Sequence, residues 1–451
     1  MELTKEERSL FDELKQKILN QKARDTDCRN HYYGKAKIEH LGISIPQAAE
    51  KFAFYPNWIA TYVRVLEERM DVRLLVRQGT IDEDEKLRKV WQDNQLDLYS
   101  HSFHTDLLVY GRAIITVSRT TDGRPRIVVE NPTNFSIKSD IVTGETTGAL
   151  RMYQDKDENG LATVTHYAMY SDKEIIIFDD KAAAGVRGAN VKRIPHYLGR
   201  VPVVMAKLIN DTMDTQGHPI AEDLFKITEL AGRTIMLLQL AMETVAAPQK
   251  IASGVTEKDF QNPDGTIDHD KWNRYFGSIW AVNNTDAKVT QLPGADLSGF
   301  LKTIDMLVEQ ASAVTGLPAR LFGRNTVNPA SEGAIRAEEA RLVRTVERIN
   351  TAAGAAWAWA LGIALRIING EWEDGSVDIV WQNPTTPTES QQADRLQKLT
   401  GGKPVMSVRG AIEEMPWSAL RKQKELEWLQ QEAEEDMGYA AMEYPGTPYD
   451  E

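Results

Sequence analysis

The sequence has almost no cysteine, no long uninterrupted apolar run and no excess of basic charge. The single cysteine, Cys28, excludes an intrachain disulfide and a multi-cysteine zinc site, and it is compatible with a reducing compartment. The longest apolar stretch, residues 352–365, has 14 residues. A membrane-spanning helix needs roughly 20, so this stretch is predicted to be a buried helix. A net charge of −13 argues against a generic DNA-coating protein, because such proteins are normally basic.

The two ends of the sequence are also informative. Residues 1–8 are charged and contain no apolar core, so no signal peptide is expected. Residues 421–451 contain 9 acidic and 3 basic side chains, a local net charge of −6, and they end in a turn-rich segment. The C-terminal region is therefore expected to be acidic, with a frayed end.

A length of 451 residues predicts two to four structural units, and the hydrophobic pattern indicates a mainly helical α+β protein. Helical periodicity is predicted for residues 2–22, 57–70, 84–110, 221–246, 298–315, 332–368 and 417–436. Alternating, strand-like patterns occupy residues 113–118, 126–130, 145–153, 162–170, 174–178 and 377–381. Asn57 is a candidate helix N-cap, and Gly111 is well placed to end the helix before it.

The middle of the chain holds two helices around a small island. Apolar residues from 224 to 245 recur every three or four positions, which predicts one helix about 35 Å long that Pro248 ends. Short strands and turns follow over residues 249–297, and a second helix returns from about Ser298 to Thr315. The island is therefore expected to project from a pair of helices.

Several possible sites were weighed against simpler explanations. Residues 155–160 match the first half of a calcium-binding loop, but His166 replaces the required bidentate Glu, so a hairpin turn is favoured. His101 and His104 have a spacing that metal sites use on helices, yet no third ligand is identifiable. Asp268-His269-Asp270 is explained by a solvated turn. The common phosphate-loop, serine-hydrolase and zinc-protease motifs do not occur, so neither an enzyme nor a cofactor is expected.

The order of these parts resembles the portal, or head-to-tail connector, proteins of tailed double-stranded DNA bacteriophages. A long helix, a projecting island, a return helix, a polar loop and a very long helix follow one another over most of the chain. Local resemblances lie in the segments 107–113 (LLVYGRA), 199–204 (GRVPVV), 314–323 (VTGLPARLFG) and 380–388 (VWQNPTTPT), the last followed by Gln392-Ala-Asp394 and Lys398-Leu399. No single segment is as specific as a metal signature, but their conjunction in this order is fairly specific.

The resemblance implies a subunit with a wing, a helical stem, a small β-rich clip, a long kinked helix and a helical C-terminal crown. The implied bounds are 1–220 for the wing with its β-rich insertion 112–205, 221–247 for the stem helix, 248–297 for the clip, 298–318 for the return helix, 319–331 for a tunnel loop, 332–370 for the long wing helix, and 371–451 for the wing return strand and crown.

The resemblance also implies a function and a set of partners. Twelve subunits would form a ring at one capsid vertex, and double-stranded DNA would pass through the ring during packaging and ejection. The clip would dock the terminase packaging motor and later the head-completion or neck proteins, while capsid and scaffold proteins would surround the ring. No membrane is involved in such a role. The protein would reside in the virion, and in the host cytoplasm during assembly.

The resemblance assigns two groups of residues to these tasks. The tunnel loop would approach DNA with Arg320, Arg324, Asn325, Thr326 and Asn328, and the clip would dock the motor with Trp272, Tyr275, Phe276 and Trp280. Neutral amides and few cations suit a loop that touches a sliding polymer, because each neutralised phosphate strengthens binding.

Other interpretations stay open from the sequence. One of the two loop arginines could pair with Glu332 or with a neighbouring subunit. The arginines at 336, 341, 344 and 348 could pair with the glutamates at 338, 339 and 347 of the same helix. An oligomeric helical scaffold or adaptor protein without a DNA channel is the alternative function.

Overall fold

The computed structural model describes residues 3–36, 54–80, 82–156, 162–186, 189–245, 250–253, 264, 266, 288–291, 296–324, 332–373, 377–385, 389–415, 417 and 419–443. It divides the chain into two compact units, Met1–Pro384 and Thr385–Glu451. The chain is 53% helical and 19% strand, which confirms the expected mainly helical α+β class.

Helices hold more residues of the first unit than strands do. They are α1 (Lys5–Tyr32), α2 (Trp58–Glu67), α3 (Glu85–Asp93), α4 (Leu96–Tyr110), α5 (Asp180–Ala183), α6 (Phe225–Val245), α7 (Ser298–Thr315) and α8 (Glu332–Asn369). Short 3-10 turns lie at Pro132–Asn134, Glu222–Leu224 and Ala319–Phe322.

The strands of the first unit form four antiparallel sheets among the described residues. They are β1 (Val72–Arg77), β2 (Arg112–Arg119), β3 (Pro125–Glu130), β4 (Phe135–Ser139), β5 (Thr146–Lys156), β6 (Ala162–Tyr170), β7 (Glu174–Asp179), β8 (Val191–Pro195), β9 (Val203–Lys207), β10 (Lys250–Ser253), β11 (Lys288–Gln291) and β12 (Val377–Trp381). The sheet orders are β1-β12, β10-β11, β3-β2-β9 and β4-β5-β6-β7-β8. Strand β1 was not predicted from the sequence.

Helix α1 is ten residues longer at its C-terminus than the pattern over 2–22 predicts, since it ends at Tyr32. Its start is fixed by a capping box, in which Thr4 accepts from Glu7 N and the Glu7 side chain accepts from Thr4 N. Its second half is polar but buried in part: the Asp25 carboxylate accepts from Arg112 of β2 at 2.7 Å, and both side chains are 3% exposed. Because this half of α1 is buried partly through a paired charge, apolar periodicity in the sequence does not reveal it.

The predicted helix over 84–110 is broken into α3 and α4, so that prediction was wrong in its middle. Asn94 leaves the helix and uses its side chain on strand β3, where it accepts from Ile127 N at 2.9 Å and donates to Pro125 O at 3.3 Å. Gln95 follows with a left-handed φ of 54°. The break therefore comes from a tertiary contact that helical periodicity does not encode.

Gly111 ends α4, as predicted, for a reason beyond its φ of 72°. A Cβ atom at this position would lie 2.5 Å from the backbone of His218. The backbone of the loop after β9 therefore crosses directly over Gly111, and Leu208 N donates to Gly111 O at 2.8 Å. Only glycine fits both constraints.

Large aromatic side chains at the centre of the first unit form what we call the aromatic core: Trp91, Phe103, His104, Trp357 and Trp381. Trp357 of α8 is fully buried, and its ring centroid lies 5.0 Å from that of Trp91 and 4.7 Å from that of Phe103. The Trp357 Nε1 donates to His104 Nε2 at 3.3 Å. Burial lowers the pKa of His104 to about 3, so this imidazole is neutral inside the core.

The two candidate metal-binding histidines have separate partners. His101 contacts the carboxylate of Glu67 on the surface, whereas His104 is 1% exposed and faces Trp357. In the described ranges, no group of three or more His, Cys, Asp or Glu side chains could hold a metal ion. Strands β5 and β6, which flank the predicted hairpin turn at 155–160, pair antiparallel, and His166 contacts Asp155 at 2.9 Å.

Helix α8 runs without interruption from Glu332 to Asn369. Its residues 339–369 are long and apolar enough to cross a bilayer by length and composition. However, Trp357, Leu361 and Ala364 are fully buried by protein, so this stretch packs as a core helix, as the sequence predicts.

The second unit consists of α9 (Glu389–Thr400), α10 (Val408–Glu414) and α11 (Ala419–Glu443). The sequence pattern predicted only the last of these, as a helical region over 417–436. The Arg421 guanidinium lies 5.6 Å from the ring centroid of Trp417 and 4.9 Å from that of Trp428. This cation–π contact fixes the start of α11 in a sequence with few apolar residues.

Candidate functional site

Helices α6 and α7 pack side by side and form what we call the helix pair. Ala231 and Met236 of α6, and Leu307, Val308 and Ala311 of α7, are buried. Beyond α6 and before α7, strands β10 and β11 pair antiparallel with Lys250 opposite Gln291. The predicted island therefore begins and ends with a two-stranded ladder.

The helix pair leaves apolar side chains in water. Leu230 and Met242 of α6 are 45% and 51% exposed, and Leu301 and Met306 of α7 are 58% and 49% exposed. Single exposed apolar residues are common, but these are four on two adjacent helices, and the described part of the chain leaves all four exposed.

The C-terminal end of α7 is held by an arginine from α8. Arg341 Nη1 donates to Ala313 O at 2.8 Å, and Arg341 Nη2 donates to Val314 O at 3.3 Å. Gly316 follows in the left-handed region with a φ of 73°, and a Cβ atom there would lie 2.5 Å from Arg341 Cδ. Gly316 thus supplies both the turn and the room for the arginine.

The first part of the predicted loop 319–331 is an ordered turn. Residues Ala319–Phe322 form a 3-10 helix that ends at Gly323, whose φ is 96°. Phe322 is 6% exposed, and its ring centroid lies 5.9 Å from that of Trp58 in α2. The apolar Leu321-Phe322 pair anchors this turn, so the loop predicted over 319–331 begins with an ordered 3-10 turn.

The two loop arginines bind carboxylates of the same chain. Arg320 Nη2 donates to Glu339 Oε1 of α8 at 2.7 Å, and Arg324 pairs with Glu309 of α7. The suggested pairing with Glu332 stays a prediction, because the Glu332 side chain lies outside the described residues. Glu309 raises the pKa of the exposed Arg324 guanidinium, which stays cationic. The other predicted DNA-facing residues, Asn325, Thr326 and Asn328, lie outside the described residues.

The sequence left open that the arginines of α8 pair with glutamates of the same helix, and two of them bind backbone carbonyls instead. Arg341 binds the end of α7, and Arg348 Nη2 donates to Ile209 O in the loop after β9 at 2.8 Å. Arg341 binds carbonyls of the last turn of α7, which have no partner within the helix, and Arg348 binds a carbonyl just beyond strand β9. The role of Arg341 was missed from the sequence, although a glycine two positions after Val314 marks an exposed helix end.

The four clip residues predicted to dock the motor, Trp272, Tyr275, Phe276 and Trp280, lie outside the described residues. The described site is therefore the helix pair together with the junction between α7 and α8. It offers an uncovered apolar surface, two guanidinium–carboxylate pairs and one guanidinium bound to a helix end.

Comparison with known proteins places this arrangement among virion components. The sequence profile described as "Phage portal protein, SPP1 Gp6-like" matches residues 12–439. The proteins named "Portal protein" of Mycobacterium phage L5 and Mycobacterium phage D29 are each 30% identical over 443 residues, which cover 93% of this chain and 89% of theirs.

Two solved structures share the fold at low sequence identity. A chain of the "Virion of native gene transfer agent (GTA) particle" has a TM-score of 0.51 and 12% identity, covering 87% of this chain and 99% of that one. A chain of the "Neck of empty GTA particle computed with C6 symmetry" has a TM-score of 0.52 and 11% identity, covering 85% of this chain and 91% of that one.

Proposed function

The chain belongs to the family of SPP1 Gp6-like phage portal proteins, and from this premise we propose how its parts divide the work of a portal. A portal protein is an oligomeric ring of the virion at the head–tail connection. The family match over residues 12–439 is the observation that carries this assignment. It also disfavours the alternative of a scaffold or adaptor without a channel.

We propose that the ring has twelve subunits and that the helix pair forms its stem. The exposed Leu230, Met242, Leu301 and Met306 support this, because neighbouring subunits would bury them. Twelve chains of −13 each give −156, so the net charge of the ring repels DNA. A ring that conducts DNA has to avoid binding it tightly.

We propose that residues 319–331 face the DNA that passes through the ring. The pairing of Arg320 and Arg324 with glutamates supports weak, transient phosphate contacts. A guanidinium that already has a carboxylate partner gains little by moving to a phosphate, so the chain does not hold DNA at this point. Arg324, on an exposed pair, is the better placed of the two for a brief exchange with phosphate.

We propose that residues 248–297 form the clip, which docks the terminase motor during packaging and head-completion or neck proteins afterwards. Capsid and scaffold proteins would contact the outer part of the ring during assembly in the host cytoplasm. The antiparallel ladder β10–β11 supports a compact clip at the end of the helix pair. The four aromatic residues Trp272, Tyr275, Phe276 and Trp280 are the proposed docking residues within it.

The DNA-facing segment is tested with particles built from Arg324→Glu rings. A ring of added acids in a confined channel faces the phosphates, so we expect shorter packaged genomes or loss of DNA, with normal ring assembly. Arg124→Glu is the matched control, because Arg124 is also an exposed arginine paired with a carboxylate, that of Asp122, but lies on the β2–β3 hairpin. Equal genome length and retention in all three particles would contradict the proposal.

The clip is tested with Trp280→Ala. We expect weaker ring assembly or weaker motor docking, with the helix content unchanged. Normal assembly together with normal packaging would remove the support for these aromatic residues as the docking surface.

A further inference from the structure

Three arginine contacts join α7, the 3-10 turn 319–322 and α8 in a closed circuit. Arg324, just after the turn, binds Glu309 of α7. Arg320 of the turn binds Glu339 of α8. Arg341 of α8 binds the last carbonyls of α7. Each of the three elements is thus tied to both others, and we call Arg320, Arg324 and Arg341 the arginine clamp.

Arg341 completes the end of α7 in a way that no residue of α7 does. The last carbonyls of a helix have no partner within it, and the partial negative charge at this end attracts a cation. The backbone N–H of Gly316 donates to Ser312 O at 2.8 Å. The next two carbonyl oxygens, those of Ala313 and Val314, accept from the Arg341 guanidinium. A planar fork can reach two adjacent carbonyls at once, whereas an ammonium group presents a single point of charge.

The close approach of Arg341 to Gly316 determines the direction of the chain after α7. Gly316 alone has wide conformational freedom, so it does not select one exit direction. The Arg341 side chain lies where a Cβ of residue 316 would be, 2.5 Å from Cδ, and restricts the backbone to the observed turn. Arg320 and Arg324 then fix the following turn to α8 and to α7.

We propose that Arg341 is a positioning residue, which sets the direction in which the chain leaves α7 and so places residues 319–324, the start of the proposed DNA-facing segment. This inference rests on the proposed function in one respect, namely that these residues face DNA. Arg341 itself does not touch DNA in this account. Arg341 lies on the exposed face of α8 and binds the end of α7, whose carbonyls water would solvate in its absence. Loss of Arg341 therefore changes the direction of the chain after α7 more than it changes folding.

The structural part is tested by hydrogen exchange of assembled rings over residues 313–324. Arg341→Met removes the guanidinium and keeps an apolar stem, and we expect exchange there to become about tenfold faster or more, as expected when a charge-assisted contact is lost. Arg344→Met is the matched control: Arg344 is an exposed arginine one turn further along α8, and its side chain makes no hydrogen bond to another described residue. Arg341→Lys should lie between the two. The thermal midpoint and the ring mass should stay unchanged in all three.

Exchange over 313–324 that is the same in Arg341→Met and Arg344→Met would overturn the inference. The functional part uses particles built from the same rings, with DNA retention as the readout. Lower retention in Arg341→Met than in Arg344→Met, together with faster exchange, is the expected result. Faster exchange with unchanged retention would refute the role in placing the DNA-facing segment. The Arg324→Glu comparison separates this outcome from failure of the proposed function, since an inert Arg324→Glu would show that the segment does not face DNA at all.

Discussion

The aromatic core and the helix pair use apolar residues in opposite ways. In the core, Trp357 is completely buried among aromatic rings of α3 and α4 of the same chain. On the helix pair, Leu301 is 58% exposed although α7 packs against α6. The apolar side chains of the core are therefore buried within one chain, whereas those exposed on the helix pair need another surface to bury them. For a ring-forming protein, we infer that folding and assembly depend on different residues.

The largest expected effect concerns assembly. The double variant Leu301→Glu, Met306→Glu places charges where neighbouring subunits would bury apolar side chains, so we expect rings to be replaced by single chains of 50.7 kDa. Mass photometry measures this directly. Gln310→Glu adds an acid to the exposed face of the same helix without removing an apolar group, and its rings should persist. Intact rings in the double variant would show that this surface is not an interface.

The second effect breaks the core. Trp357→Ala removes a fully buried side chain, and we expect a loss of about 3–5 kcal/mol in the free energy of unfolding. Urea denaturation of the Leu301→Glu, Met306→Glu chain, with and without Trp357→Ala, measures it. Trp359→Ala, two residues away on the same helix but 41% exposed, should cost only about 1 kcal/mol. Similar losses for both variants would mean that the core does not depend on burial as described.

The third effect concerns how the stability of the core depends on pH. Burial holds the pKa of His104 at about 3, below its ordinary value of 6.5, so the stability it contributes is present above pH 6.5 and is lost as pH falls toward 3. We expect the core to lose stability by up to about 1.4 kcal/mol per pH unit in this window from this group. His104→Gln should flatten the dependence of the unfolding free energy on pH.

His101→Gln is the control for this comparison. The His101 side chain is 49% exposed, so its replacement removes no buried imidazole from the core and tests whether the effect is specific to His104. If His104→Gln leaves the dependence of the unfolding free energy on pH unchanged, protonation of this imidazole does not contribute to it.

The smallest effect concerns the outer surface of the core helix α8. The Arg200 guanidinium lies 5.0 Å from the ring centroid of Trp359 and 5.3 Å from that of Trp372, all partly exposed. Contacts of this kind contribute about 0.5–1 kcal/mol at exposed positions. Arg200→Gln should therefore lower the free energy of unfolding by less than about 1 kcal/mol. A loss above about 2 kcal/mol in the free energy of unfolding would show that this stack contributes as much as a core contact.

The same difference between regions explains what could be predicted from the sequence. The bounds of α7 and α8 were predicted almost to the residue, because each helix has one apolar stripe and is followed by a glycine. The break at Asn94, the length of α1 and strand β1 were missed, because each depends on a distant partner: Ile127, Arg112 and strand β12. Local pattern does not carry such information.

The site shows the same limit. The sequence identified Arg320 and Arg324 as the notable residues of the loop, but their carboxylate partners, Glu339 and Glu309, lie 19 and 15 positions away. Arg341 looked like one of several solvated arginines, because its partners are backbone carbonyls with no sequence signature. The family resemblance supplied the function, and the tertiary contacts supplied the roles of the arginines.

The mass of the chain as it assembles in solution tests the central claim most directly. Neighbouring subunits must cover the apolar surface of the helix pair, so at micromolar concentration and moderate salt we predict a closed particle near 608 kDa, twelve times 50.7 kDa, with a central hole in negative-stain images. A monodisperse species of 50.7 kDa under those conditions would contradict the account, because the helix pair would then be stable with its apolar surface in water.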